Sequence, residues 1–233
     1  DGSANRGAVF VFALDNGQWL QDSFLEDPMD PSTQDGRQEF GWAVALADDG
    51  NTLMAGWKYG GASAVVLARN GGPWASQSLF MSATEADDSP FALSADGNTL
   101  VLGRRVNRTA AGKGGVADVY QRSGGAWRYD TELTASNNGD GDLFGWSVTI
   151  AADGQTIAVG AVFEDNAAAG INLPDGSGSV NSGAVYVFAR SGTTWTEQAY
   201  IKASNTGDFD EFGHLVSLSS DGSTLAVTTL YES

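Results

Sequence analysis

Cysteine is absent from this chain of 233 residues, and histidine occurs once and proline five times. Without cysteine there is no disulfide framework and no thiolate metal site. A single histidine argues against a histidine-based catalytic triad and against a transition-metal centre. Low proline argues against a disordered linker. No apolar run approaches the roughly 18 residues that a membrane-spanning helix needs, so we expect no membrane insertion.

Basic residues are also scarce. Twelve lysines and arginines face 29 aspartates and glutamates, and the formal net charge is −17. Phosphate binding needs basic patches, so nucleic acid is a poor partner for this chain. An acidic surface instead keeps a protein soluble and favours cations or basic partners.

Glycine, by contrast, is abundant and recurs in a repeated pattern. Each repeat has a glycine, an alternating β-rich run, a turn, a tryptophan and a second alternating run. The four copies are "GAVFVFALDNGQWLQDSFL" (7–25), "GASAVVLARNGGPWASQSLF" (61–80), "GVADVYQRSGGAWRYDTEL" (115–133) and "GAVYVFARSGTTWTEQAYI" (183–201). Their tryptophans are Trp19, Trp74, Trp127 and Trp195.

Between these copies lies a second repeated unit with an Asp-Gly turn. Its copies are "FGWAVALADDGNTLMAG" (40–56), "DDSPFALSADGNTLVLG" (87–103), "FGWSVTIAADGQTIAVG" (144–160) and "FGHLVSLSSDGSTLAVT" (212–228). Asp-Gly between alternating apolar runs is a strong hairpin signal. The period is therefore about 54–68 residues, with four antiparallel strands and no helical periodicity. A repeated four-stranded sheet predicts an all-β propeller blade, and a β-sandwich is the alternative.

The Phe-Gly pairs and the strings "SVTIAADGQTIAVGA" and "GAVYVFAR" resemble FG-GAP repeats, the blades of integrin-α-like propellers in many surface proteins. The resemblance covers essentially the whole chain, although Asp87-Asp88 replaces Phe-Gly in the second repeat. It implies an extracellular or cell-surface protein. We predict one propeller domain over residues 1–233, with repeats at about 7–60, 61–114, 115–182 and 183–233.

We label the strands of a blade A to D, where A and B form the Asp-Gly hairpin and C and D the Gly…Trp hairpin. The chain begins with C and D and ends with A and B. We predict complete blades at about 40–81, 87–134 and 144–202, and a fourth blade closed by pairing the terminal halves, which removes two exposed sheet edges. The alternative is a part of a larger, seven-bladed propeller, since seven blades are common in the family.

Acidic residues recur in the loops that join strand D to the next strand A, which a propeller places on one face. The candidate metal ligands are Asp140, Asp142, Asp208, Asp210 and Glu211. Ca²⁺ takes about six to eight oxygen ligands, so these carboxylates form a candidate calcium site. The alternative is a solvated loop whose aspartates cap their own turn.

The integrin-like calcium loop lies instead between strands A and B. Here it keeps only the acid before each glycine: Asp49, Asp96, Asp153 and Asp221. We interpret these four residues as turn formers and do not expect them to wrap an ion.

The loops between strands B and C carry the candidate ligand-binding residues. These are Trp57, Tyr59, Arg104, Arg105, Arg108, Glu164, Asp165 and Asp175. The two aromatic residues are placed to stack on a sugar ring. The arginines would grip an acidic glycan, dock head-to-tail on the acidic rim of another copy, or pair internally. The acids of the long loop at 162–183 would bind an ion or sugar hydroxyls, or belong to a mobile tip.

Three further aromatic residues, Trp42, Trp146 and His214, follow the Phe-Gly pairs. Their alternation places them beside the inner strands, and we interpret them as packing residues rather than as a sugar platform.

Three functions remain open. The leading hypothesis is a non-catalytic extracellular binding or structural module, used in adhesion or surface assembly. The second is a lectin-like glycan-binding propeller. The third is a hydrolase or lyase with paired aspartates, but catalytic carboxylates need burial and perturbed pKa values, whereas these loops are rich in glycine and asparagine. We therefore expect a protein that is not an enzyme.

Overall fold

The computed structural model describes residues 7–28, 39–58, 62–81, 90–105, 114–174, 176 and 178–232. These residues form sixteen β-strands and no helix. The strands are β1 (Ala8–Asp15), β2 (Gln18–Glu26), β3 (Val44–Leu46), β4 (Thr52–Gly56), β5 (Ala62–Ala68), β6 (Ala75–Met81), β7 (Phe91–Leu93), β8 (Thr99–Arg104), β9 (Val116–Ser123), β10 (Ala126–Leu133), β11 (Phe144–Ile150), β12 (Thr156–Ala161), β13 (Ala184–Ser191), β14 (Thr194–Ile201), β15 (Val216–Leu218) and β16 (Leu225–Val227). Among the described residues there is therefore no helix that is long and apolar enough to cross a bilayer.

Three antiparallel sheets of four strands follow one another along the chain. We call them blade 1 (β3 to β6), blade 2 (β7 to β10) and blade 3 (β11 to β14). The remaining strands form two hairpins, an N-terminal half-blade (β1 and β2) and a C-terminal half-blade (β15 and β16). The predicted all-β fold of four-stranded antiparallel propeller blades is confirmed. The assignment of residues 1–233 to one domain stays a prediction.

Apolar layers between consecutive blades form the core. One layer joins the N-terminal half-blade to blade 1, a second joins blade 1 to blade 2, and a third joins blade 2 to blade 3. The repeated tryptophans Trp74, Trp127 and Trp195 are partly buried, one in each layer, against the preceding unit. In each complete blade the large ring of this tryptophan therefore covers part of the preceding unit.

The Phe-Gly pair joins one blade to the next. Phe144 is fully buried, and its backbone forms a β-bridge with Gly115 of the preceding blade. Gly145 has a φ of +88°, and a Cβ atom there would lie 2.5 Å from the carbonyl oxygen of Val116. Only glycine accepts both this conformation and this close approach, so the pair is required by the contact between blades.

The two terminal hairpins were predicted to pair into a fourth blade, and the described strands do not form this pairing. β1 pairs only with β2, and β16 pairs only with β15. Phe10 and Phe12 of β1 are 55% and 53% exposed, as expected for a strand that lacks a neighbouring blade. The two half-blades lie at the two ends of the row of blades. Repetition in a sequence predicts blades, but whether the first meets the last depends on the rotation between them.

Candidate functional site

The four Asp-Gly turns are held by their own aspartates. The carboxylate of Asp49 accepts a hydrogen bond from the backbone N–H of Asn51 at 2.8 Å, and Asp153 accepts one from Gln155 at 2.9 Å. Asp96 and Asp221 bond in the same way, and hydrogen bonds from Ser219 and Ser223 lower the pKa of Asp221 to about 2. The interpretation of these residues as turn formers is confirmed.

The D-to-A loops are also braced by aspartate. Asp142 accepts a hydrogen bond from the N–H of Gly139 at 2.8 Å, and Asp210 accepts one from Gly207 at 2.6 Å. Both side chains point inward, since the two residues are only 6% and 1% exposed. These carboxylates cap their own loops, which is the alternative to calcium that the sequence left open.

The five candidate metal ligands do not converge on one point. Asp208 accepts hydrogen bonds from the hydroxyl of Ser179 and the N–H of Val180, both at 3.0 Å, while Asp140 is exposed. Glu211 follows in a left-handed conformation with a φ of +56°. No group of three acidic, histidine or cysteine side chains in the described part of the chain is placed to hold a metal ion. The described residues therefore do not bring these five ligands together, and the calcium site stays a prediction.

Asp142 makes the stability of the protein depend on pH. Burial raises the pKa of Asp142 from 3.8 to about 6, and the nearby charges of Glu164 and Asp165 act in the same direction, whereas Gly139 and Lys202 oppose it. Because the folded-state pKa is raised, the charged form opposes folding. The penalty is small below pH 4, grows up to pH 6 and, with solvent screening included, is on the order of 1–3 kcal/mol above it.

We therefore expect the free energy of unfolding to fall between about pH 4 and pH 6 through this residue, and Asp142→Asn to flatten that part of the profile. Asparagine keeps an oxygen for the Gly139 N–H. The measurement is urea unfolding across this range. Asp210→Asn is the control, because it alters the equivalent brace and retains Asp142. If Asp142→Asn showed the same pH dependence of the free energy of unfolding as the unsubstituted protein, the assignment of that dependence to Asp142 would be contradicted.

The long loop at 162–183 is anchored by a buried carboxylate. Glu164 is 3% exposed and accepts hydrogen bonds from the hydroxyl of Tyr200 at 2.8 Å and from Nζ of Lys202 at 2.5 Å. Asn137 and the N–H of Asn166 also donate to it. A carboxylate with four internal donors is not a ligand for an ion or a sugar, so that prediction for Glu164 is wrong.

The other two acids predicted in this loop have different outcomes. Asp165 accepts a hydrogen bond from the N–H of Asn181 at 2.7 Å, so it joins the two sides of the loop. Asp175 lies outside the described residues.

The aromatic platform predicted at Trp57 is wrong. Trp57 is 2% exposed, its ring centroid lies 5.0 Å from that of Phe40, and its Nε1 donates to Asp27 at 3.1 Å. Such a ring has no face left for a sugar. Tyr59 lies outside the described residues.

The predicted arginines at the end of β8 and in the loop after it have different contacts. Arg104 forms an ion pair with Asp118 and donates from Nη2 to Glu132 at 2.9 Å, so this guanidinium is paired internally and is not a docking group. Arg105 instead lies over the ring of Trp146, with Cζ 4.5 Å from the ring centroid. Arg108 lies outside the described residues.

An aromatic pocket of about 260 Å³ lies where the starts of the four A strands meet. It is lined by Trp42, Ala43, Pro90, Arg105, Trp146, His214 and Leu215. Trp42 is 50% exposed, and the rings of Trp146 and His214 are 5.5 Å apart. The interpretation of these aromatic residues as packing residues missed the pocket. The sequence did contain a signal for the pocket, because all three aromatic residues directly follow a Phe-Gly pair. When repeats stack as a row of blades, equivalent positions of successive repeats become neighbours.

Two cations belong to this pocket or its border. Besides Arg105 on Trp146, Nζ of Lys58 lies 4.0 Å from the ring centroid of Trp42 and 3.8 Å from Glu39. The pocket therefore combines aromatic surface with positive charge in a protein of strongly negative net charge.

The repeated blades and the turns that join them define a protein of the β-propeller class. Residues 127–188 match the model of the FG-GAP repeat, so the resemblance to this family is confirmed for that part of the chain. None of the curated proteins matches the chain.

Solved structures resemble this chain at low sequence identity. A candidate 6-phosphogluconolactonase from Bacteroides fragilis is 15% identical, with a TM-score of 0.50, over 96% of this chain and 58% of its own. A protein from Lactobacillus plantarum is 13% identical with a TM-score of 0.49 over 84% of this chain, and the tricorn protease is 11% identical with 0.42 over 72%. This chain spans 50% and 14% of those two structures, respectively. At 15% identity, the likeness to the Bacteroides fragilis protein concerns the fold alone.

Proposed function

We propose that this chain is a non-catalytic binding module of the FG-GAP propeller type, which acts outside the cell or at its surface in adhesion or assembly. FG-GAP repeats are typical of extracellular proteins, and residues 127–188 match such a repeat. The single observation that carries the proposal is the aromatic pocket. It is a concave site with convergent aromatic and charged groups on a rigid framework, which is the usual form of a ligand site.

The acidic residues support binding rather than catalysis. Asp142 and Asp210 hold their own loops, and Glu164 holds the long loop against blade 3. A general acid or nucleophile must reach a substrate, and these carboxylates are directed at backbone or side-chain donors of the same protein. Their burial therefore serves the loops that frame the binding face.

A glycan is the second candidate, and the exposed ring of Trp42 favours it. An indole face in a pocket that also contains the guanidinium of Arg105 offers stacking for a sugar ring next to a positive charge. In this proposal Trp42 and Trp146 take the role that the sequence assigned to Trp57 and Tyr59.

Retention on immobilised polysaccharides tests both candidates. The panel holds a neutral, a carboxylated and a sulfated polysaccharide, and the soluble forms are assayed in parallel for new reducing ends and unsaturated products. We expect retention on a charged polysaccharide without turnover, and about tenfold weaker binding by Trp42→Ala. Tyr129→Ala is the control, because this ring is 56% exposed and lies outside the pocket.

Each outcome has a distinct meaning. Turnover of any polysaccharide would overturn the non-catalytic proposal. Retention that Trp42→Ala leaves unchanged would exclude the aromatic pocket as the site. Absence of retention on the whole panel would reject the glycan candidate and direct the search to protein partners.

A further inference from the structure

A repeated pair of polar residues lies where one unit contacts the next, a place that we call a junction. One member follows the repeated tryptophan of its unit by three positions. The other is an arginine that precedes the tryptophan of the next unit by five positions. The pairs are Asp22 with Arg69, Gln77 with Arg122, and Asp130 with Arg190. Two junctions therefore have a carboxylate at this position, and the middle one, between blades 1 and 2, has an amide.

The junction between blades 2 and 3 shows what the carboxylate does. Oδ2 of Asp130 lies 3.7 Å from Nη2 of Arg190 and accepts a hydrogen bond from Nε1 of Trp195 at 3.3 Å. Between the N-terminal half-blade and blade 1, Oδ2 of Asp22 lies 2.6 Å from Nη1 of Arg69. A carboxylate of the preceding unit therefore meets the guanidinium at both junctions, and between blades 2 and 3 it also meets the indole N–H.

The middle junction has the same donors without the carboxylate. Oε1 of Gln77 accepts only a long hydrogen bond, 3.4 Å, from Nη1 of Arg122. Within the described residues, Nη2 of Arg122 donates to no group, and Nε1 of Trp127 is buried without a hydrogen-bond partner. Nε1 of Trp74 is also buried without a partner, but at that junction the carboxylate of Asp22 is already present. Between blades 1 and 2 the two groups equivalent to the partners of Asp130 are therefore both unused.

A pocket of about 330 Å³ opens at the middle junction, and Gln77 and Arg122 are among the residues that line it. Gly124 and Gly125, in the turn between β9 and β10, also line the pocket and have no side chains to fill it. The pocket lies at the Asp-Gly turn end of the blades, whereas the aromatic pocket lies at the starts of the A strands. The unused donors and the open space thus occur at the same junction.

The surrounding charges restrict which anion fits. Arg69 lines the pocket but is paired with Asp22. Asp49 also lines it, and Asp96 interacts electrostatically with Arg122, although both carboxylates are engaged in their own turns. These acids repel a multiply charged anion such as phosphate more strongly than a single carboxylate. A carboxylate is also the group that the other two junctions have at this position.

We propose that the pocket between blades 1 and 2 binds the carboxylate group of a ligand. The bound carboxylate occupies the position that Asp130 has between blades 2 and 3, and it accepts hydrogen bonds from Nη2 of Arg122 and Nε1 of Trp127. Charge-assisted bonds of this kind are stronger than neutral ones, and the buried indole N–H gains the partner that it lacks. This second site goes beyond the proposed function and does not depend on the aromatic pocket.

Titration with acetate tests the proposal, with the indole N–H signals of ¹⁵N-labelled protein as the readout and chloride keeping the ionic strength constant. We expect the Trp127 signal, identified by its loss in Trp127→Phe, to shift saturably with a millimolar Kd, because the nearby acids weaken binding. The Trp195 signal should not shift, since Asp130 already accepts its hydrogen bond. The remaining signals report whether each variant is folded.

Substitutions at Gln77 give the matched controls. Gln77→Asp supplies the carboxylate from within the chain and should weaken acetate binding about tenfold or more, whereas Gln77→Asn has the same size without the charge and should retain it. A Trp127 signal that acetate does not shift, an equal shift with chloride alone, or an equal affinity in Gln77→Asp would overturn the proposal.

Asp130→Gln is the reciprocal test, because it gives the junction between blades 2 and 3 the residue of the middle one. In this variant acetate should also shift the Trp195 signal, and a Trp195 signal that does not respond would contradict the proposed geometry. The Gln77→Asp variant should still be retained on polysaccharide through Trp42. Failure of this site and failure of the aromatic pocket are therefore distinguishable.

Discussion

Replacement of Lys202 by methionine is expected to lower the free energy of unfolding by about 3–5 kcal/mol. Lys202 is 3% exposed, and its Nζ donates to Glu164 at 2.5 Å and to the hydroxyl of Ser182 at 2.7 Å. Burial lowers the pKa of Lys202, and the charge of Glu164 opposes this change. Methionine fills a similar volume but leaves the Glu164 carboxylate buried without its cation. That uncompensated charge is the physical cause of the loss.

Urea unfolding at pH 7 measures this effect, and two further variants test whether the buried charge is its cause. The double variant Lys202→Met/Glu164→Gln should recover a large part of the loss, because the neutral amide needs no counter-ion. Lys58→Met is the matched control, since it removes a partly exposed pair with Glu39 at 3.8 Å and should cost less than about 1 kcal/mol. A loss of similar size in Lys58→Met and Lys202→Met would contradict the buried-pair explanation.

Substitution of Gly115 by alanine is expected to destabilise the protein by more than roughly 4 kcal/mol or to prevent folding. Gly115 has a φ of +103°, and an added Cβ atom would lie 2.0 Å from the carbonyl oxygen of Phe144. The obstacle is backbone, so no side-chain rotation relieves it. The bridge from Gly115 to Phe144 must then break, and with it the contact between blade 2 and blade 3.

Gly125→Ala separates backbone strain from this steric contact. Gly125 also has a positive φ, +81°, but an added Cβ atom would meet nothing within 4 Å. It should therefore cost about 1–2 kcal/mol, the strain of the left-handed conformation alone. Thermal and urea unfolding of the two variants give the difference. Equal losses would show that the approach to Phe144 is not the limiting contact.

The aromatic residues show why the sequence predicted the fold better than the site. Trp42 lies just before β3 and Trp57 just after β4, so both flank a strand of blade 1, yet Trp57 is 2% exposed and Trp42 is 50% exposed. Local sequence does not distinguish them, because exposure is decided by what the neighbouring blades place over each ring. The acids show the same difficulty, since Asp142 turns inward to Gly139 while Asp140, two residues earlier, is exposed.

The sequence by itself determined the strands, the antiparallel four-stranded blades and the Asp-Gly turns, because alternation, turn residues and repetition are local and act within about 60 residues. It also determined that each blade carries a tryptophan and, in three of the four Asp-Gly units, that a Phe-Gly pair lies at the start of strand A or just before it. Only the tertiary structure decided that Glu164 is buried with Lys202, that Trp42 and Trp146 line one pocket, and that the half-blades do not pair. These features depend on how whole blades pack and rotate against one another. That arrangement is decided by many weak contacts between residues that are distant in the chain.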